Sequence, residues 1–393
     1  MHNEIIQEQP EVFYFPEPQL CPLTWIEIDS HAFNHNVAQY KKMVSPALFA
    51  VVVKSNAYGH GMQHIASLAQ KNNAVDYICT VSLSEAVTLR KNGITKPLLV
   101  LSIIDDALEL ACIHAIDVVV FDRKQALAFN QIGLQFQKKI KIHIKVDTGL
   151  SRLGVLYSEV LNFVESLYRL PFLTVQGIFT HFAESEKSDQ TFTNLQIERF
   201  EEVLEALEEK NITIPLKHAS CSAAITATSR SHFTMARAGI GIYGLWPSHD
   251  TKMGMHSKDT SFVLKPLLTW KTKIIHMKEV PAGSCVGYNR THRVVQDSRI
   301  ATLPIGYWDG YDRKLSNKGF VLINNQRAPC VGTIAMNLMM VDVTGLNVSI
   351  DDDVILLGNY AGITAEDLAG ACNTINYEFV TRINPLLPRI MQG

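Results

Sequence analysis

No stretch of this 393-residue chain is apolar for long enough to cross a bilayer: its most apolar run, Leu98 to Ile104, falls far short of the about 20 residues required. Charge of one sign is also lacking. The formal net charge is −2, and lysine and arginine are scattered without a basic block, which removes the footprint of a nucleic-acid or anionic-membrane binder. Cysteine is sparse and unpatterned: Cys21, Cys79, Cys112, Cys221, Cys285, Cys330 and Cys372 are odd in number, widely dispersed and without a CxxC pair. Neither a disulfide framework nor a metal site is expected, and most of these residues read as small buried side chains. The first 22 residues, MHNEIIQEQPEVFYFPEPQLCP, carry acids and prolines where a secretory signal needs a basic start and an apolar run. These absences predict a soluble cytoplasmic protein whose partner is a small molecule.

What is present is length and a repeating pattern. At 393 residues the chain exceeds the size at which one hydrophobic core keeps growing, so a large domain and a smaller one are expected. From about residue 47 to 245, short runs rich in β-branched residues alternate with longer segments of helical period, the signature of repeated βα units. Candidate strands are Ala47–Val53, Tyr77–Val81, Pro97–Leu101, Ile116–Phe121, Ile140–Val146, Thr174–Thr180, Pro215–Ser220 and Ala236–Tyr243, and eight of them predict an α/β fold closed as a (β/α)8 barrel. Between Gln190 and Lys210, Phe192, Leu195, Phe200, Leu204 and Leu207 form the apolar stripe of an outer helix. After about residue 262 the pattern changes to strands punctuated by turns, as in LLTWKTKIIHMKEVPAG and GFVLINNQRAPCVGT, which reads as a mainly β domain. The division expected is an extension over 1–22, the barrel over 23–262 and the β domain over 263–393, with the early strand at 23–29 pairing with the latter.

A barrel enzyme builds its site from loops at the C-terminal ends of the strands. The first strand ends in AVVVKSNAYGHG, placing Lys54 at the mouth, where a lysine costs desolvation unless it has a partner or a covalent task; the alternative is a side chain that snorkels to the rim.

At this motif the chain resembles the alanine racemases, and the likeness continues through TWIEIDSHAFNHNV, KVDTGLSRLG, THFAESE, HASCSAA, RAGIGIYG, VGYNRTH, PIGYWDGYDR and TINYE, leaving only the first twenty or so residues outside it. The resemblance implies a pyridoxal 5'-phosphate (PLP) enzyme that interconverts L- and D-alanine with two bases and supplies D-alanine for peptidoglycan. It implies Lys54 as the residue bonded to PLP and as one base, and Tyr288, reaching across a homodimer interface, as the other. Arg237 would donate to the pyridine nitrogen, with His181 and His218 orienting it and linking it toward Tyr288. Ser222, the amides of Gly239 and Ile240, and the Tyr58 phenol would hold the phosphate. Arg152 would contact the PLP phenolic oxygen and the substrate carboxylate, and Lys145 matches a lysine carried as a carbamate in many members. Taken singly, His181 and His218 also read as satisfied structural histidines and Gly239 as a packing glycine.

The chain departs from the family at two places. Met336-Asn337 stands in the substrate-carboxylate loop where Met-Asp is common, which removes a charge. By register from Tyr377 to Pro388-Arg389, Pro385 falls where many members place a tyrosine against the cofactor, which predicts a roomier pocket and a side activity on serine. Competing readings are a PLP decarboxylase of similar architecture, which would present an acid to the pyridine nitrogen where this chain has Arg237, a non-catalytic PLP-binding barrel, which would not need Tyr288 or the C-terminal domain, and a racemase of broad specificity.

Overall fold

The computed structural model describes residues 22–393; the extension predicted over 1–22, and Cys21 with it, lies outside the described residues except for Pro22. The eight barrel strands are Leu48–Val52, Tyr77–Ser82, Leu98–Ile103, Asp117–Val120, Ile140–Asp147, Leu173–Phe179, Leu216–His218 and Met235–Ala238. Neighbours pair in parallel in sequence order, and the eighth returns to the first with Arg237 opposite Ala50. The seventh and eighth meet through Thr234 N–H donating to Lys217 O at 3.0 Å. The reason lies in the runs themselves. Runs such as LFAVV and the VVV that follows Asp117 are apolar on both faces, and only a sheet covered on both sides buries such a strand completely.

Two local expectations change. In the helix Thr191–Glu209 the buried face is Thr193, Gln196, Ile197, Phe200, Val203, Leu204 and Leu207, while Leu195 is exposed and Phe192 half-buried. Gln196 displaces the apolar stripe because its amide binds Thr148 Oγ1 and accepts from Ala183 N–H, satisfying a buried polar group. The eighth strand stops at Ala238 rather than at Tyr243. Gly239 leaves the strand conformation (φ −111°, ψ −100°), and Ile240–Tyr243 coils into a 3-10 turn.

The C-terminal part is built on a six-stranded sheet in the order Gln326–Pro329, Phe320–Ile323, Asp353–Leu357, Leu268–Lys273, Thr24–Asp29, Arg389–Gln392. The early strand is thus part of this sheet, antiparallel to Leu268–Lys273 with Ile26 opposite Trp270 and parallel to Arg389–Gln392. A three-stranded sheet of His276–Val280, Ser298–Leu303 and Met339–Asp342 stands beside it. One hydrophobic core runs through both parts, from Phe49 and Val51 in the barrel to Trp270 and Tyr311. Among the described residues all the cysteines are free, with Cys79, Cys112, Cys330 and Cys372 buried, Cys221 half-buried and Cys285 exposed. No helix among them is long and apolar enough to cross a membrane, and no group of side chains is arranged to hold a metal ion.

Candidate active site

The chain reverses sharply after the first barrel strand. Ser55, Asn56, Ala57 and Tyr58 have φ values of 54°, 53°, 51° and 52°, a left-handed turn made without glycine. Each such residue costs roughly 1–2 kcal/mol, so the turn persists only where its surroundings impose it. Glu85 accepts from Ser55 N–H at 2.7 Å and from Val81 N–H at 2.9 Å, tying the turn to the second strand. Asn56 Oδ1 accepts from Met62 N–H, and Arg389 reaches over from the C-terminal sheet to donate to Gly59 O at 2.9 Å. Gly59 is required here: with φ at +84°, a Cβ would sit 2.0 Å from Val380 O. The result is that Lys54 and Tyr58 both enter one cavity, the Lys54 ammonium 5.9 Å from the Tyr58 ring centre.

That cavity has a volume of about 600 Å3 and opens at the C-terminal ends of the strands. Lys54, Tyr58, Lys145, Arg152, His181, Ser222, Arg237, Gly239 and Ile240 all line it. His218 lies beneath, its Nδ1 accepting from Arg237 Nη1 at 2.5 Å, while Arg237 Nη2 donates to the carbonyls of Thr180 and Ala219. Tyr288, Met336 and Asn337 are elsewhere on this chain, exposed to solvent. Tyr288 is 69% exposed and Met336 54%. Pro385 is exposed and does not line the cavity; Tyr377 does, 6.2 Å from the Tyr58 ring, with its hydroxyl donating to Glu186. Pro385, expected beside the cofactor, thus lies outside the cavity lining of its own chain. Chain length past Tyr377 is taken up by the helix Asn376–Thr381 and the turn after it, which carry Pro385 outward.

The electrostatics follow from burial and crowding. Lys54 is pushed below the usual lysine range by burial and then by Arg152. Burial lowers Lys145 to about 8, with Arg152, Arg237 and Lys54 adding repulsion. His181 is held well below its usual value by burial and by the same cations, and burial lowers Arg237 to about 10. Against four cations the lining offers the carboxylates Glu186 and Glu378. At one corner Ser222 Oγ accepts from the amides of Gly239 at 2.9 Å and Gly241 at 3.2 Å. Gly241 rather than Ile240 thus shares the hydroxyl with Gly239. A Cβ on Gly239 would lie 2.4 Å from the Tyr58 hydroxyl, so only glycine leaves this corner open. A cation-rich cavity with a hydroxyl, a phenol and turned amides suits an anionic group.

Sequence reasoning missed Glu85, Arg389, Glu186, His143 and Asp117, and used Tyr377 only as a marker of register. A signal existed for His143. In IHIKVD it lies two residues before Lys145, and the period of a strand sends both into the barrel interior.

Residues 28–247 match the family model described as alanine racemase, N-terminal domain, and residues 267–391 match the alanine racemase C-terminal domain. The alanine racemase of Clostridium perfringens (strain SM101) is 40% identical over 371 residues, 93% of this chain and 94% of that protein. The structure of the Bacillus anthracis alanine racemase with bound L-Ala-P is similar with a TM-score of 0.87 at 32% identity, covering 96% of each chain. The Bartonella henselae alanine racemase with covalently bound pyridoxal phosphate has a TM-score of 0.81 at 26% identity, covering 94% of this chain and 100% of that one. The barrel, the lysine turn and these likenesses over nearly the whole length agree: the chain belongs to the alanine racemase family of isomerases.

Proposed function

We propose that this chain interconverts L- and D-alanine with PLP held in the barrel mouth, and that it works as a homodimer in which each cavity is completed by Tyr288 of the partner subunit. The observation that carries the reading is the meeting of the desolvated amine of Lys54 with the buried guanidinium of Arg237 in one cavity, beside a corner that Gly239 keeps open. When bound, PLP draws the electron pair left at the substrate α-carbon into its ring. Lys54 would hold the cofactor's aldehyde carbon and, once displaced, move a proton on one face of the substrate; burial favours its neutral amine for both tasks. Ser222, Gly239, Ile240, Tyr58 and Tyr377 frame the corner suited to the phosphate.

Arg237 keeps its proton at neutral pH even at about 10, so facing the ring nitrogen it would leave that nitrogen unprotonated and weaken the ring as an electron sink. This favours racemisation over transamination. Arg152 would take the substrate carboxylate and the phenolic oxygen. The repulsion of Arg152, Arg237 and Lys54 on Lys145 is opposed by Asp147, and carbamylation would add a negative charge inside the cavity. His181, neutral by burial, is the side chain to connect Arg237 with Tyr288 of the partner subunit.

Racemisation needs a second proton-transfer group on the opposite face, and Tyr288 is unavailable within its own chain. It stands on a face with Tyr307, Trp308, Met336 and Leu338, all exposed. Thr333 Oγ1 donates to Tyr288 O, and Trp308 N–H donates to Met336 O, so the segments that carry these residues are tied together. Such an exposed aromatic patch suits an interface and brings Met336 and Asn337 with it as substrate contacts. We take residues 23–262 and 263–393 as the two domains, with the strand Thr24–Asp29 lent to the second, and a cytoplasmic enzyme feeding peptidoglycan with D-alanine as its setting.

The test is a panel of amino acids assayed by chiral chromatography with PLP, using the unaltered enzyme and Tyr288→Phe. Interconversion that favours alanine, with the variant impaired about 100-fold or more from both enantiomers, is expected. Carbon dioxide release or an inert PLP complex would replace this reading with a decarboxylase or a binding protein.

A further inference from the structure

Beneath the cavity, a line of buried polar side chains continues away from Arg237 through the barrel interior. Arg237 Nη1 meets His218 Nδ1 at 2.5 Å, His218 Nε2 meets His143 Nδ1 at 3.0 Å, and His143 Nε2 faces Asp117 Oδ2 at 3.5 Å. The last contact is longer than an ordinary hydrogen bond, but His143 Nε2 has no other partner among the described residues. The Tyr77 hydroxyl donates to the same carboxylate oxygen at 3.3 Å. Asp117 lines a second cavity of about 320 Å3, among Lys138, Lys139 and Lys141. It starts the fourth strand, so the line runs from the C-terminal mouth of the barrel to its opposite end.

Room for this line is built into the fold. A Cβ on Gly177, in the sixth strand, would lie 2.2 Å from His143 Nδ1, so a side chain there would expel the ring. Phe179, on the same face, stacks on His218 with centroids 4.8 Å apart and planes 4° from parallel. Both imidazoles are completely buried, and burial lowers the pKa of each, keeping them neutral. A neutral imidazole carries one proton, so each must donate through one nitrogen and accept through the other.

The two ends then dictate the middle. A guanidinium only donates and an ionised carboxylate only accepts. His218 must accept at Nδ1 and carry its proton at Nε2; His143 must accept there and carry its own proton at Nε2, toward Asp117. Reversing the His218 tautomer sets donor against donor beside Arg237, and reversing that of His143 sets donor against donor between the two imidazoles. We infer that Asp117 and His143 are positioning residues for Arg237, fixing from the far end of the barrel the His218 tautomer that holds the guanidinium in the cavity. The inference rests on the reading of Arg237 as the group that faces the cofactor's ring nitrogen. A buried carboxylate that locks a histidine tautomer acts by the same physics in hydrolase triads.

The first measurement needs neither cofactor nor turnover. Two-bond proton–nitrogen NMR spectra of histidine-labelled protein should show His143 and His218 both protonated at Nε2, and Asp117→Leu should convert one or both to the Nδ1 form or to a mixture. The second uses the holoenzyme. Asp117→Leu should lower kcat for alanine about tenfold with KM little changed, because Asp117 acts on Arg237 only through the two histidines. It should also raise, about tenfold, the fraction of turnovers in which the substrate amino group passes to the cofactor and leaves pyruvate and pyridoxamine phosphate. An Nδ1 proton on either histidine of the unaltered protein would overturn the inference, and that spectrum is decisive even if the leucine variant does not fold. Tautomers unmoved by Asp117→Leu would also overturn it. Altered tautomers with an unchanged partition would leave the relay standing and instead refute the role given to Arg237.

Discussion

The barrel and the C-terminal region contribute to the site in opposite ways. On the barrel side Lys54, Lys145, Arg237 and Ser222 converge on one cavity, half-buried or buried, each held by its own chain. The C-terminal candidates Tyr288, Met336 and Asn337 stand in solvent outside it. Yet the same region also contributes within the chain, since Tyr377 lines the cavity and Arg389 clasps the lysine turn. The difference teaches that one fold serves two cavities: its own, which it braces, and by our proposal that of a second copy, which it completes.

The largest effect should come from separating those two services. Lys54→Ala and Tyr288→Phe should each be nearly inactive alone. Mixed, unfolded together and reassembled, they should recover up to about one quarter of the unaltered activity, because half the dimers carry one cavity with both native residues. No recovery in a mixture shown to contain heterodimers would place Tyr288 outside the shared site.

A second experiment probes the bracing within one chain. Gly59→Ala forces a side chain into φ +84° and against Val380 O, so an unfolding free energy lower by about 3 kcal/mol or more is expected in denaturant melts. A loss under 1 kcal/mol would mean that the turn and the helix Asn376–Thr381 separate easily, roughly at the scale of an ordinary surface change.

The smallest effect concerns Lys145, a crowded cation on the barrel side. Because burial lowers Lys145 to about 8, the unfolded chain binds more protons there than the folded one between about 8 and the usual 10.5. Stability of the unmodified chain should therefore rise as pH increases through that window and be lowest below it. Bicarbonate, by carbamylating the neutral amine, should raise the thermal midpoint and flatten this dependence, while Lys145→Met should abolish the response. Carbon-13 NMR with labelled bicarbonate would detect the carbamate; its absence would leave Lys145 as a plain cation.

Much of the site was legible because barrel geometry ties function to strand ends. Lys54 after AVVV could be located from its strand run alone, while Lys145 in IHIKVD and Arg237 in RAGIGIYG were assigned through the family resemblance. The errors have physical sources. The eighth strand was read through to Tyr243 because GIGIY is apolar, whereas the amides of Gly239 and Gly241 turn toward Ser222 and break it. Phe192 and Leu195 were placed in the helix stripe because hydrophobicity was weighed without the buried partners of Gln196. Pro385 was placed by register between Tyr377 and Pro388-Arg389, but a turn and a helix end decide where residues lie.

By itself, the sequence determined the succession of buried strands and covering helices, the β-rich end and the residue types at the strand termini, since those follow from local periodicity and the cost of burying polar groups. Only the tertiary structure decided which of these residues meet. His143, His218 and Asp117 come from three strands, and their line exists because barrel closure stacks alternate positions in one interior. The left-handed turn after Lys54 is likewise unfavourable locally, and it stands because Glu85, Val380 and Arg389, from distant parts of the chain, leave it no other shape.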